Sequence, residues 1–174
     1  MSRNEPKELG LTIPLQRHLS VKALPYGQKS DRRFCWDLHA ITLRRRSSLL
    51  AVHCQSRYTF VLYDLSRLEW ECLPDIFQEG LKHSLSAAGF PNGTANLLCG
   101  SVQPLFTKTH CRREVAFLNR AWDDVMAAEL ALDENSQGQH LLEQIVNAKP
   151  SRCVGFDGLG MAAKRLTTML QELS

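Results

Sequence analysis

Four side chains that are or can be cationic precede a helix in the stretch PLFTKTHCRREVAFLNRAWDDV, residues 104–125. They are Lys108, His110, Arg112 and Arg113. A helix start already carries partial positive charge and favours Asp or Glu. Lysine and arginine donors beside the free N–H groups of a helix start are the groups that bind an anion. This stretch is therefore the first candidate site in the chain.

The helix that follows separates a candidate binding face from a core face. Arg112 and Asn119 are seven residues apart and share one side of the helix. The apolar residues at helical spacing form a different side: Val115, Leu118, Trp122, Val125 and Met126. The anion would be a nucleic-acid phosphate, a nucleotide or a carboxylate of a partner protein. A solvated basic edge, partly neutralised by acidic residues of the same helix, is the alternative.

Two histidines form a second candidate constellation. If the polar break RRRSS (44–48) turns near Arg46, His39 and His53 face each other across two antiparallel strands. Two histidines beside a cation could cleave a phosphodiester without metal, one as base and one as acid, which makes His39 the candidate catalytic residue. A slip of one residue would separate the pair, and two unrelated strand histidines are the simpler interpretation. No further ligand follows at a diagnostic spacing, so we expect no metal site and no cofactor.

Arginines also bracket the first strand of this region at both ends: Arg32, Arg33, Arg44, Arg45 and Arg46. Basic residues flanking an aromatic strand are typical of a nucleic-acid surface. More commonly, such residues are the charges of an edge strand and its turn, which prevent aggregation of the sheet. The sequence contains no Gly-rich phosphate loop, dinucleotide fingerprint or nucleophile elbow.

The composition is that of a globular protein. The 174 residues are 44% hydrophobic and 22% charged, with a net charge of +3 that permits a phosphate partner without requiring one. No apolar run approaches the roughly 18 residues that span a bilayer, and MSRNEPKELG lacks the apolar core of a signal peptide. We therefore expect a cytoplasmic protein with no membrane association. The six cysteines include no C-x-x-C pair, so we expect reduced, mostly buried thiols.

The elements that must position these residues come as strands first and helices later. FCWDLHAITL (34–43), LLAVHC (49–54) and RYTFVLYDL (57–65) are typical of three strands, and their short connections favour an antiparallel meander. Helical spacing predicts helices over 74–88, 111–131, 139–146 and 161–173.

This order predicts an α+β fold, with a small antiparallel sheet of three to five strands packed against three or four helices. We expect a single domain over 34–174, preceded by an N-terminal extension, 1–33, of one helical turn and loop. The final amphipathic helix could present an apolar patch to a protein partner.

Several motifs, in this order, resemble the bacterial family called domain of unknown function 6933, which occurs on chromosomes, plasmids and phage-like elements. The similarity covers about residues 34 to 170 and includes two apolar strands around a polar break, LLAVHCQSRYTFVLY. The single residues that match are Trp36, His39, Phe106, Thr107, Lys108, Arg112, Asn119, Asn147 and Pro150. Cys111 and Arg113 stand where the family has Asn and Ser, and the family's N-terminal strand-and-helix opening is not recognisable.

The resemblance implies one compact α+β domain and no particular activity. We expect five residues of the matching segments to bind an anion: Lys108, Arg112, Asn119, Trp36 and Arg57. The leading interpretation is a protein of a mobile element or defence system that binds nucleic acid or another phosphate-bearing ligand. The alternatives are a protein-interaction module, antitoxin-like, inhibitory or homodimeric, and a metal-independent nuclease-like enzyme that uses His39.

Overall fold

A five-stranded mixed sheet lies at the centre of the protein. The computed structural model describes residues 6–29, 31–99 and 102–173. The sheet order is β4-β3-β2-β1-β5. Its strands are β1 (Glu8–Leu11), β2 (Cys35–Leu43), β3 (Arg46–His53), β4 (Thr59–Leu62) and β5 (Leu105–Lys108). A second, two-stranded sheet pairs β6 (Ser151–Arg152) with β7 (Leu159–Gly160).

Helices cover both faces of the central sheet. Within the described residues there are seven α-helices: α1 (Ile13–His18), α2 (Arg67–Glu71), α3 (Leu73–Ala87), α4 (Thr94–Cys99), α5 (Arg112–Ala127), α6 (His140–Ala148) and α7 (Ala162–Leu173). One face packs against α1 to α4 and α7 through a core that contains Trp36 and Phe77. The other face packs against α5 and α6 through a core that contains Val61 and Leu118. No helix among the described residues is long and apolar enough to cross a bilayer.

The prediction of an antiparallel sheet with three or four helices is wrong. The three strands from residues 34 to 65 do form an antiparallel meander, since β2 pairs with β3 and β3 with β4 in that sense. Strand β1, however, pairs parallel with both β2 and β5. Short connections predict antiparallel pairing only for strands that follow one another directly. Between β1 and β2 the chain passes through α1 and a longer connection, and β2 therefore begins at the same end of the sheet as β1 and runs parallel to it.

Residues 8–11 belong to the sheet interior, although we expected them in an N-terminal extension. All four residues of β1 are buried, with Leu9 and Leu11 in one core. Together β1 and α1 form the strand-and-helix opening that the sequence did not reveal. The first five residues of the expected extension lie outside the described part of the chain.

The β2–β3 hairpin turns at Arg44 and Arg45, just before the expected centre. Both residues have positive φ, 42° and 66°, as a two-residue type I′ turn requires. The resulting register pairs Trp36 with His53 and His39 with Leu50. Because neighbouring strand positions alternate between faces, His39 and His53 lie on opposite sides of the sheet and cannot act as one acid–base pair.

Side chains of α6 complete the outer edge of β4. The Thr59 N–H donates to Asn147 Oδ1 and the Asn147 amide donates to Thr59 O, both at 2.8 Å. The Val61 N–H donates to Glu143 Oε1 at 3.0 Å. These contacts satisfy backbone groups that an edge strand would leave exposed. Asn147, one of the residues that carried the resemblance, therefore has a structural role.

The apolar side of the last helix is buried, although we expected it as a candidate partner surface. Leu166, Met169 and Leu170 of α7 belong to the core beneath β2 and α3. Arg165, on the same helix, is 4% exposed and donates to the carbonyl oxygens of Ser56, Ser151 and Gly160 at 2.9, 3.0 and 2.7 Å. This guanidinium connects α7 to the β3–β4 turn and to the two-stranded sheet.

Candidate functional site

The connection from β5 to α5 positions most of the predicted anion-binding residues. Lys108 is the last residue of β5, and its backbone N–H donates to Pro25 O at 2.9 Å. The Lys108 ammonium lies 4.2 Å from the ring centroid of Tyr26, which is 74% exposed. A cation is thus held on an aromatic ring that faces solvent.

The first half of α5 presents basic residues to solvent. Arg112, Arg113 and Asn119 are exposed, while Leu118 and Val125 are buried against the sheet. The buried side of α5 also contains Glu114 and Ala121. Trp122 and Met126, which we expected in the core stripe, are 37% and 40% exposed. The helix is therefore rotated so that its exposed side includes the predicted Arg112–Asn119 face.

Arg57 links the β3–β4 turn to this helix. Its guanidinium carbon lies 3.7 Å from the ring centroid of Phe117, and the guanidinium of Arg120 lies 5.7 Å from the same ring. One Arg57 nitrogen lies 3.9 Å from Glu114 Oε1, and the buried Nε has no hydrogen-bond acceptor among the described residues. We call basic face the surface formed by the exposed residues Arg112, Arg113, Asn119 and Arg120, together with the half-buried ring of Phe117 and the buried Arg57 beneath it.

Three exposed arginines of the basic face are clustered on α5 without an acidic partner among the described residues. Within the described chain, no carboxylate lies within ion-pair distance of Arg112, Arg113 or Arg120. Several arginines elsewhere are paired with neighbouring carboxylates: Arg33–Asp31 at 2.7 Å, Arg44–Glu134 at 3.2 Å and Arg67–Glu71 at 3.0 Å. Other exposed arginines of the described chain also lack an ion pair, but they lie apart from one another, on α1, in the hairpin turn and on β6: Arg17, Arg45 and Arg152. The charges of the three α5 arginines are therefore not neutralised by an ion pair within the described chain and are available to a ligand.

A buried cluster lies behind the start of α5, around His110. The His110 ring is fully buried, with Nδ1 2.7 Å from Asp37 Oδ1 and Nε2 3.1 Å from Glu8 Oε2. The Cys54 sulfur lies 3.6 Å from the same Nδ1, and the Cys35 sulfur 3.9 Å from Glu8 Oε2. We call these five residues, Glu8, Cys35, Asp37, Cys54 and His110, the histidine cluster.

The cluster shifts the protonation of its members. Burial lowers the pKa of His110, but its hydrogen bonds, above all to Asp37, outweigh burial and hold that pKa well above its ordinary value. Burial raises the pKa of the Cys54 thiol to about 12. Burial would also raise the pKa of Glu8, but hydrogen bonds from the Gln28 N–H and from His110 lower it. The result is an imidazolium held between two carboxylates beside a protonated thiol.

Two glycines leave room for the His110 ring. A Cβ on Gly10 would lie 2.1 Å from Asp37 Oδ1 and 3.0 Å from His110 Nδ1. A Cβ on Gly27 would lie 2.7 Å from Glu8 Oε2 and 2.9 Å from His110 Cδ2. Any larger residue at either position would displace a buried polar side chain. The sequence thus provides space on both sides of the ring.

The remaining predicted site residues lie elsewhere. Trp36 is fully buried on the opposite face of the sheet, in edge contact with Phe60 and Phe77, and is a core residue rather than part of the basic face. His39 is buried beneath Trp122, and a 2.7 Å hydrogen bond joins it to Thr12. Burial lowers the pKa of His39. Its surroundings are those of a core histidine.

Sequence reasoning did not find the histidine cluster, because its members come from four separate segments. Glu8 lies on β1, Cys35 and Asp37 on β2, Cys54 after β3, and His110 after β5. The alternation of Cys35 and Asp37 places both on one face of β2, but only the parallel register brings Glu8 beside Cys35. Cys35, Cys54 and Cys153 are buried free thiols, and the Cys99 side chain lies outside the described residues.

Comparison with known proteins gives one family. The family model described as domain of unknown function (DUF6933) matches residues 8–158. No curated protein matches the chain. The matched range contains every member of both the basic face and the histidine cluster.

Proposed function

Since the chain belongs to the DUF6933 family, whose description names no ligand, we propose from the geometry alone that it binds single-stranded nucleic acid on the basic face. The observation that carries the proposal is the set of three exposed arginines, Arg112, Arg113 and Arg120, with no carboxylate within ion-pair distance in the described chain. Each can contact a phosphate with a charge-assisted hydrogen bond.

Aromatic rings beside these cations favour a single strand over a duplex. The Phe117 ring lies near the guanidinium groups of both Arg57 and Arg120, and the exposed ring of Tyr26 lies against Lys108. Stacking on such rings requires bases that are free of a partner strand. The mixture of rings and cations thus suits a strand whose phosphates contact arginine and whose bases stack.

The charge distribution along α5 limits the proposed interface to the first half of the helix. The acidic residues Asp123 and Asp124 follow the arginines, and Asp124 pairs with Lys149. A phosphate would be repelled there, whereas the N–H groups of the first turn attract it. The proposed path therefore runs from Tyr26 and Lys108 across the first turns of α5.

The proposal is tested by fluorescence anisotropy with labelled oligonucleotides of mixed sequence, titrated between about 50 and 200 mM salt. We expect single-stranded DNA or RNA to bind more tightly than duplex. The double variant Arg112→Gln/Arg113→Gln should weaken binding and should reduce the slope of log K against log salt by about 1.4, since each phosphate contact on a single strand contributes about 0.7.

The matched control is Arg17→Gln/Lys22→Gln, which removes the same charge. Both of these cations are exposed, on α1 and just after it, and α1 covers the opposite face of the sheet. The control should retain the parent slope. Equal effects of the two double variants, or no binding to any oligonucleotide at low salt, would overturn the proposal. Binding of an acidic peptide alone would overturn it too and would favour a protein partner.

A further inference from the structure

We propose that the histidine cluster is a buried metal site of the zinc type, in which Asp37, Cys54 and His110 are the ligands and Glu8 orients His110. The ligand atoms of these three residues all lie within 4.8 Å of one another. A site with imidazole, thiolate and carboxylate donors matches the preference of Zn²⁺ for nitrogen, sulfur and oxygen ligands. This inference goes beyond nucleic-acid binding, because it concerns a different set of side chains.

The free oxygen of Asp37 is the first reason to expect an ion. Asp37 is 2% exposed, and its Oδ2 has no hydrogen-bond partner in the described part of the chain. A buried carboxylate oxygen without a partner carries a desolvation cost. An ion bound through Oδ2, together with Nδ1 of His110 and the Cys54 sulfur, would have three protein donors and a water as the fourth, and it would satisfy that oxygen.

The surroundings of His110 are the second reason. A histidine that binds a metal through one ring nitrogen commonly donates its other N–H to a carboxylate, which fixes the ring. Here Nε2 lies 3.1 Å from Glu8 Oε2. The other oxygen of Glu8 accepts from the backbone N–H groups of Gln28 and Lys29 at 2.8 and 3.1 Å. Glu8 is thus held in place as a positioning residue for His110.

The same contacts decide between the two candidate ligand sets. Glu8, Cys35 and His110 also have ligand atoms within 4.8 Å of one another. In that set, however, both Glu8 oxygens already have partners, since Oε1 accepts from two backbone N–H groups and Oε2 lies 3.1 Å from His110 Nε2. One ion cannot use both nitrogens of a single imidazole, so the set with the free Asp37 oxygen is preferred.

Little movement is needed to admit the ion. Zn²⁺ binds nitrogen and oxygen at about 2.0–2.2 Å and sulfur at about 2.3 Å, which separates tetrahedral donors by about 3.4–3.6 Å. Cys54 Sγ and His110 Nδ1 are already 3.6 Å apart, whereas Nδ1 and Asp37 Oδ1 are 2.7 Å apart and must separate slightly. The ion takes the place of the protons on Nδ1 and on the thiol.

The test uses the full chain without a histidine tag. Protein purified without chelator should contain about one zinc ion per chain by elemental analysis. Apoprotein titrated with Co²⁺ should develop thiolate-to-cobalt charge-transfer absorption that saturates at one equivalent. Cys54→Ser should abolish this absorption, and Glu8→Gln should weaken Co²⁺ binding by about 10- to 100-fold while the saturated spectrum remains.

Cys153→Ser is the matched control, because Cys153 is also a buried free thiol and lies outside the cluster. It should leave the cobalt spectrum unchanged, as should Cys35→Ser and Arg112→Gln/Arg113→Gln. Wild-type protein that contains no metal and gives no charge-transfer absorption would overturn the proposal whether or not the variants fold. Loss of the absorption in Cys35→Ser, with retention in Cys54→Ser, would overturn the assigned ligands.

Discussion

Glu143 shows how one residue can couple the stability of this protein to pH. Its carboxyl group accepts hydrogen bonds from the Ser84 hydroxyl at 2.6 Å and from the Val61 N–H at 3.0 Å. Burial raises its pKa from 4.5 to about 7, although these hydrogen bonds act in the opposite direction. The carboxyl is therefore protonated in the folded protein at pH values where the unfolded chain is ionised.

We predict that Glu143→Gln removes a pH dependence of stability. Because the folded pKa is the higher one, the contribution of Glu143 is fully present below about pH 4.5 and is lost as pH rises through about 7. At pH 8 the variant should exceed the parent in free energy of unfolding by up to about 3 kcal/mol, since each pKa unit corresponds to about 1.4 kcal/mol. Urea denaturation across this pH range measures the difference.

Glu172→Gln is the control for this prediction, because Glu172 is exposed on α7. Its stability should follow that of the parent at every pH. A Glu143→Gln variant whose stability falls with pH as steeply as that of the parent would contradict the assignment.

Among elements, the pairing of β1 with β2 depends on Gly10. Gly10 does not have the positive φ that favours glycine, so glycine is required here because a side chain would not fit. A Cβ there would lie 2.1 Å from Asp37 Oδ1, a buried oxygen that is hydrogen-bonded to His110. Strand β1 can therefore lie beside the histidine cluster only because this position has no side chain.

Gly10→Ala should lower the free energy of unfolding by about 1–3 kcal/mol, the usual range for an added methyl group in a packed interior. Chemical denaturation in chelator measures this effect apart from any metal. Gly93→Ala is the matched control, because a Cβ at Gly93 would have no heavy atom within 4 Å. Equal stability of the two variants would show that the cluster adapts to the added methyl.

The elements that could be predicted from the sequence are those with a clear period and length. The strand segments 34–43 and 49–54 were confirmed as β2 and β3, and the final helix as α7. Strand β1 has only four residues, ELGL, and it is not bounded by turn residues at each end. Its local pattern could therefore not be distinguished from a helical turn. Helix α4 was not among the predicted helices, because a turn signal, Pro91-Asn92-Gly93, directly precedes its six residues.

For the candidate site, the sequence predicted which residues share one side of a helix better than it predicted contacts between different strands. Arg112 and Asn119 do share an exposed side of α5, because helical spacing alone determines that relation. The relation between His39 and His53 depends on where the hairpin turns, and the observed turn at Arg44 and Arg45 separates them. The histidine cluster depends on the parallel strand order, which no local pattern contains.

At the scale of the whole molecule, Arg165 connects elements that are distant in sequence. Its guanidinium donates to the turn after β3, to β6 and to β7, and its carbon lies 5.9 Å from the Phe156 ring centroid. A lysine has no planar set of donors and could not make these contacts together. Arg165 thereby attaches the two-stranded sheet to the turn after β3, and the Cys153 thiol, which donates to Gln55 O at 3.0 Å, adds a second link.

Arg165→Lys should destabilise the fold by about 3 kcal/mol, because buried acceptors of a charged donor are left without partners. Hydrogen exchange should rise first in β6, β7 and α7. Arg152→Lys, at an exposed position of β6, is the control and should behave as the parent. Unchanged exchange in β6 and β7 of Arg165→Lys would contradict the proposed attachment.

The position of β1 between β2 and β5 also has a consequence for the time course of folding. The β2–β3–β4 meander joins neighbouring segments, whereas Glu8 must pair with Leu105, far along the chain. Contacts between distant segments close larger loops and form more slowly than local ones. We therefore expect β5, which positions His110, to pair with β1 late in folding. Cys35, Asp37 and Cys54 would then lie in a partly formed sheet before His110 contacts them.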